Sequence, residues 1–260
     1  MIKAAFFDID GTLVSFETHT IPLSTINALS LAKANGLKLY ISTGRPYALI
    51  NNITPIRHLI DGYITTNGAY SFIGNTVISC NPISYENVTK LLGCADGMGF
   101  ACMVVGTTKL TMYNPNDTAY AIFNDMLAVN NLGSDTYIAE VLKQPILQLT
   151  PVITAEQETI IAQRLNGVEI SRWCPEFADI TAHGVSKAIG LHKIAHHNGF
   201  GLENTIAFGD GGNDLTMINA AGIGVAMGNA NDILKQSADY ITSSVEQDGI
   251  AKALIHFGVI

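Results

Sequence analysis

The chain has 260 residues, 48% of them hydrophobic and 14% charged, with a mean hydropathy of +0.27. That composition excludes a disordered chain, which needs low hydrophobicity and high charge; no apolar run approaches the roughly 18 residues of a membrane-spanning helix. Fourteen basic against twenty-two acidic residues give a net charge of −8, which argues against nucleic acid or an anionic membrane as the main partner. A small anion bound at one local cationic site stays compatible with it. Ile2 to Phe7 is an apolar run stopped by Asp8, the pattern of a buried parallel strand. The same early acid leaves too short a run for a secretory signal, so the expectation is a cytoplasmic protein. An amphipathic helix is expected from Ser24, with Gly36 ending it, then a strand over 37–41 stopped by Ser-Thr-Gly, with Pro46 in the first turn of another helix. Tyr63 to Thr66 reads as a third strand ending at Asn67-Gly68, and 70–79 as a hairpin around Gly74-Asn75.

From about residue 82 the texture changes. Helical segments (about 84–98, 117–130 and 155–165) are interrupted by short strands such as 101–105, 110–113 and 168–173, with prolines between them. After Gly184 the simple alternation resumes: a helix to about 198, a strand over 205–208, a helix from about 214, a strand over 223–226 and a last helix near 247–256. The economical reading is an α/β core with a parallel sheet, residues 1–81 plus 183–260, carrying an inserted α+β domain over 82–182. The four cysteines, Cys80, Cys94, Cys102 and Cys174, form no CxxC pair and read as reduced and structural.

In an open parallel sheet the loops at the carboxyl ends of the strands gather on one edge. Asp8, Thr43, Asn67 and Asp210 each follow a strand, so that edge collects Asp8, Asp10, Asp210 and Asp214. Four carboxylates carry a formal −4 that repulsion does not tolerate without a cation. Oxygen-only ligands in an open crevice suit Mg²⁺ better than Ca²⁺ or a softer ion. Mg²⁺ and Lys187 together bring the formal charge to −1, and an anion can bind beside the Thr43 hydroxyl. A carboxylate nucleophile, a metal, a lysine and a hydroxyl are the parts of phosphoryl transfer. Two other readings fail. A calcium loop starting at Asp8 needs Gly where Leu13 stands and a closing Glu where His19 stands, and a dinucleotide loop at 209–214 needs Gly where Asp214 stands.

Phe-Phe-Asp8-Ile-Asp10-Gly-Thr-Leu, Ile-Ser-Thr43-Gly44-Arg45-Pro, Thr-Asn67-Gly-Ala, Gly-Val-Ser-Lys187 and Phe-Gly-Asp210-Gly-Gly-Asn213-Asp214 follow one another in an order that resembles the haloacid dehalogenase-like (HAD) phosphatase superfamily. Within it the chain is similar to Cof-type sugar-phosphate phosphatases with a class IIB cap, closest to hexose-phosphate phosphatases. The resemblance covers essentially the whole chain. It implies a Rossmann-like three-layer core with an inserted α+β cap, Asp8 as nucleophile and metal ligand, and Asp10 as general acid and base, its backbone carbonyl also on the metal. Acidic neighbours would keep Asp10 protonated at the outset. It further implies Asp210 as a Mg²⁺ ligand, Asp214 holding a metal-bound water, and Thr43, Gly44, Lys187 and Asn213 on the phosphoryl oxygens. In the cap, Arg172, Trp173, Glu176 and Asp179 are candidates for the organic part of the substrate; Arg45 is expected to reach a second anionic group or a cap acid, and Asn67 is a further candidate.

The expected activity is therefore Mg²⁺-dependent hydrolysis of a small phosphorylated metabolite, a hexose or pentose phosphate first of all. Phosphotransfer to an acceptor other than water, as in a mutase, is one alternative. Others are a vitamin-phosphate phosphatase acting on pyridoxal phosphate or flavin mononucleotide, and a metabolite-binding sensor without turnover. No nucleic acid or membrane partner is expected, and the sequence assigns no oligomeric state.

Overall fold

The computed structural model describes residues 1–126 and 138–260. Its strands are β1 (Ala4–Phe7), β2 (Lys38–Ser42), β3 (Gly62–Thr65), β4 (Tyr70–Ile73), β5 (Thr76–Cys80), β6 (Cys102–Gly106), β7 (Leu110–Tyr113), β8 (Ile146–Pro151), β9 (Val168–Cys174), β10 (Phe177–Ala182), β11 (Thr205–Gly209), β12 (Ile223–Ala226) and β13 (Tyr240–Ile241). The helices are α1 (Leu23–Ala34), α2 (Tyr85–Met98), α3 (Asp117–Tyr120), α4 (Ile138–Val141), α5 (Ala155–Ala162), α6 (Lys187–His197), α7 (Leu215–Ala220), α8 (Asp232–Ser237) and α9 (Gly249–His256). The chain divides into two compact units, one of residues 1–45, 50–79 and 186–260, the other of residues 46–49 and 80–185.

The first unit is built on a sheet of order β13-β12-β11-β1-β2-β3-β4-β5, parallel from β13 through β3, with β4 joining β3 antiparallel and β5 at the far edge. Its central strands β1 and β11 are buried throughout because both faces are covered, and are apolar but for Thr205. Phe6 and Tyr40 stack at 4.9 Å among residues of α6, α7 and α8, while Phe7 stacks on Phe208 at 4.8 Å. α1 packs along α9, burying Ala28, Leu29 and Ala32 of the one and Ile250, Ala253 and Leu254 of the other. From β1 the chain winds to β2 and β3 on one side, and β11 to β13 extend the other, so β1 is the switch point where an open sheet presents its crevice.

The crossover from β2 to β3 departs from expectation. Pro46 opens no regular helix; two 3-10 turns, Tyr47–Leu49 and Thr54–Leu59, fill the connection. A second proline at Pro55 and β-branched residues around it give a continuous α-helix little support there.

The second unit carries an antiparallel sheet of order β7-β6-β8-β10-β9. One face packs Val104, Leu149 and Ile180 against Val88, Leu91 and Ile161 of α2 and α5, and the other gathers Met103, Val105, Phe123 and Phe177. The helix expected over 117–130 is a short α3 followed by a π-helical stretch over 121–126, and residues 127–130 lie outside the described ones. No helix of the described residues is long and apolar enough to cross a membrane.

Candidate active site

Strand register brings the motifs together. Phe7 pairs with Phe208 of β11 and with Ile41 of β2, so the residues just beyond them, Asp8, Gly209 and Ser42, leave the sheet at one level. Asp8 N donates to Phe208 O at 3.0 Å, holding the first residue of the loop in line with its strand. Lys187 arrives from another part of the unit as the first residue of α6, whose N-cap Ser186 accepts from Ile189 N.

Lys187 is fully buried and its Nζ donates to Asp8 Oδ1 and to Asp214 Oδ1, each at 2.6 Å. Asp8 Oδ2 has no hydrogen-bond partner among the described residues. Asp214 is engaged at both oxygens: its Oδ2 accepts from the backbone N–H groups of Asp210 and Gly211, both at 3.0 Å. Asp214 thus shapes the loop that carries Asp210 and anchors the lysine, a fuller task than holding a water. Asp210 Oδ1 accepts from the Thr12 hydroxyl at 3.0 Å. Gly11 makes room for this approach: with φ at +79°, an added Cβ would stand 2.2 Å from Asp210 Oδ2. Asn229 ties the same turn, donating to Gly11 O at 2.7 Å. Thr12 and Gly11 were legible only as parts of the Asp8 motif, and nothing in the sequence singles out Asn229.

Oxygens of Asp8, Asp210 and Asp214 lie within 4.8 Å of one another. Burial pushes the Asp8 carboxyl far above the usual carboxylate range; Lys187 opposes that rise, and Asp214 and Asp210 add to it. Burial, reinforced by Asp214, pushes Asp210 up to about 7. Burial works against the charge of Lys187, but Asp214 and Asp8 outweigh it and hold the ammonium above its ordinary value. One lysine does not neutralise three clustered acids.

Asp10 stands near enough to the clustered acids to add to the rise of Asp210. Its carboxylate forms a two-pronged ion pair with Arg45, Nε to Oδ2 at 2.6 Å and Nη2 to Oδ1 at 2.8 Å, with Asn52 Nδ2 at 3.4 Å. Arg45 thus reaches a core acid. The reason is the path of the backbone: Asp10 lies three residues beyond the strand end and turns toward the β2 loop, whose guanidinium matches a carboxylate with two parallel donors. The two side chains are 32% and 33% exposed, so the pair contributes little to stability and can exchange.

The β2 loop holds Thr43, whose Oγ1 accepts from Arg45 N at 3.1 Å, and Gly44. Across from it, Asn213 Nδ2 donates to Asn67 Oδ1 at 3.1 Å, and a Cβ on Gly44 would meet that same oxygen at 3.1 Å. Thr43, Gly44, Asn67 and Asn213 thus converge in the first unit with Asp8, Asp10, Lys187, Asp210 and Asp214.

Arg172, Glu176 and Asp179 each have hydrogen-bond partners within the second unit. Arg172 Nε donates to Glu158 at 2.6 Å, its Nη1 to Pro175 O at 2.7 Å and its Nη2 to Ile153 O at 3.1 Å, which makes it a tie between β9 and neighbouring segments. Glu176 accepts from Cys174 Sγ, and Asp179 Oδ1 accepts from Gln148 Nε2 and the Thr150 hydroxyl, both at 2.7 Å. Trp173 stands in β9, and its side chain lies outside the described residues.

Residues 5–254 match the family model of the haloacid dehalogenase-like hydrolases. YkrA of Bacillus subtilis, which is named as a phosphatase, is 34% identical over 99% of this chain and 98% of its own. YcsE of the same organism, a 5-amino-6-(5-phospho-D-ribitylamino)uracil phosphatase, is 29% identical over 98% of this chain and 96% of its own. The solved HAD subclass IIB sugar phosphatase BT4131 is 48% identical, covers 99% of this chain with 100% of its own, and superposes with a TM-score of 0.86.

Proposed function

This chain belongs to the haloacid dehalogenase-like hydrolase family, and we propose that it is a Mg²⁺-dependent phosphatase that releases phosphate from small phosphorylated metabolites, sugar phosphates first, through a phosphoryl group carried on Asp8. The observation that carries the reading is the buried Asp8, held by Lys187 at 2.6 Å with Asp210 and Asp214 within 4.8 Å. The acids fit a hard divalent cation: the donors are all oxygen, and the buried cluster is left with more negative charge than Lys187 neutralises. Asp8 and Asp210 would hold Mg²⁺, together with the Asp10 carbonyl. The ion supplies positive charge that lets an anionic phosphate approach an anionic nucleophile.

The rest of the chemistry belongs to the side chains. Thr43, Gly44, Asn213 and Lys187 hold the phosphoryl oxygens. An oxygen of Asp8 attacks phosphorus in line with the leaving group; the bond from phosphorus to the alkoxide breaks, and Asp10 gives the alkoxide its proton. Water then attacks the phosphoryl group on Asp8, passes a proton to the Asp10 carboxylate, and the Asp8–phosphorus bond breaks to free inorganic phosphate. The Arg45 pair presents Asp10 in the form that takes this proton from water, and it has to open for the first step.

We assign residues 82–182 to a substrate-specificity cap, with Arg172, Trp173, Glu176 and Asp179 as its candidate substrate contacts. The 48% identity to a sugar phosphatase supports a sugar phosphate over a vitamin phosphate. The test is a phosphate-release screen across phosphorylated sugars, nucleotides and cofactors, with and without EDTA. Release from sugar phosphates that EDTA abolishes is the expected result; turnover undiminished by EDTA, or none with any ester, contradicts the reading.

A further inference from the structure

One turn touches every loop that carries a phosphate ligand. Thr66, Asn67 and Gly68 follow β3 with three successive left-handed residues, at φ +52°, +52° and +100°. For a β-branched residue such as Thr66 this conformation is costly and persists only where the surroundings enforce it. Here they do. Thr66 N donates to Arg45 O and Asn67 N to Thr43 O, both at 3.1 Å, which locks the turn to the β2 loop. Gly68 lies against the start of α6, where an added Cβ would stand 2.1 Å from Ser186 O and 3.3 Å from Lys187 N. The half-buried Asn67 side chain completes the set, accepting from Asn213 Nδ2 at 3.1 Å while its amide lies under Gly44.

An amide nitrogen has two hydrogens. With one of Asn213's directed to Asn67, the amide plane is fixed and the second is left for an oxygen of the phosphoryl group. Without Asn67, the exposed Asn213 side chain is free to rotate. We propose that Asn67 is a positioning residue for the phosphatase reaction, acting through Asn213. The proposal rests on the phosphatase reading and deepens it, because it replaces the expectation that Asn67 meets the substrate's organic part.

Asn67→Gly is the discriminating variant, since Gly accepts the left-handed backbone and removes only the side chain. Wild type, Asn67→Gly, Asn213→Ala and the double variant are compared with p-nitrophenyl phosphate as substrate and inorganic phosphate as inhibitor, with melting temperature and the Mg²⁺ concentration for half-activation alongside. The expected result is a loss of kcat/KM of about tenfold in Asn67→Gly, the size of one hydrogen bond. The inhibition constant for phosphate should rise with it, while melting and Mg²⁺ response stay near wild type. In the Asn213→Ala background the same change should cost nothing further. Asn67→Ala, which loses the same side chain at a different backbone cost, supplies a second cycle if the glycine variant folds poorly. Wild-type kcat/KM in Asn67→Gly, or losses that multiply in the double variant, overturns the positioning role. A wild-type protein that releases phosphate from no ester defeats the phosphatase reading itself and is told apart by that first measurement.

Discussion

The charged groups of the two units are handled in opposite ways. In the inserted unit, Arg172 is matched by Glu158 and backbone carbonyls, and Asp179 accepts from Gln148 and Thr150. In the first unit, Asp8, Asp210 and Asp214 share one buried lysine. Balanced polar groups hold a structure together; a deliberately unbalanced cluster stores affinity for a cation and an incoming anion. That imbalance, more than any single motif, marks the reacting centre.

The comparison breaks first at Asp8. Asp8→Asn keeps the shape and an acceptor for Lys187, so it should cost about 10⁴-fold or more in phosphate release without lowering the melting temperature; retention of a tenth of the activity would place the nucleophile elsewhere. Asp10→Asn should cost about 10²- to 10⁴-fold, and the loss should be greater for alkyl than for aryl phosphates, whose better leaving groups need less protonation. Equal losses on both would remove Asp10 from proton transfer. The inserted unit should answer in the other currency: Arg172→Ala destabilises by about 1–3 kcal/mol, read by thermal or urea melting, with kcat/KM changed by less than roughly threefold.

The pH response sharpens the same contrast at smaller amplitude. Burial lifts Asp210 from 3.8 to about 7 and Asp8 in the same direction. The folded metal-free protein therefore holds protons the unfolded chain has released, so its stability is greatest at acid pH and falls as pH climbs from about 4 through about 7. Mg²⁺ binding should release protons, and the gain in melting temperature from Mg²⁺ should be larger near pH 8 than near pH 5. A gain independent of pH would separate the acids from the metal.

Much of this was readable before any coordinates. The apolar run ending at Asp8, the strand Ile223–Ala226 and the return to strand–helix alternation after Gly184 fix the sheet and hence its edge, because buried parallel strands write themselves as short hydrophobic blocks. What escaped were features set by the path of the chain rather than by local pattern. The Arg45–Asp10 pair depends on how two loops turn. β8 and β10 hide beside prolines and polar residues, since Gln148, Thr150 and Asp179 bond to one another inside the sheet. Asn67 looked like an ordinary turn residue, and only its bond to Asn213 gives it a place in the site.

The central claim is that phosphorus passes to Asp8 before it reaches water. A single-turnover reaction with a labelled phosphate ester, quenched in acid within milliseconds and mapped by mass spectrometry, addresses it directly. The expected result is a transient phosphoryl adduct on the peptide containing Asp8, absent from Asp8→Asn; product formed at full rate with no adduct on that peptide at any time would contradict it.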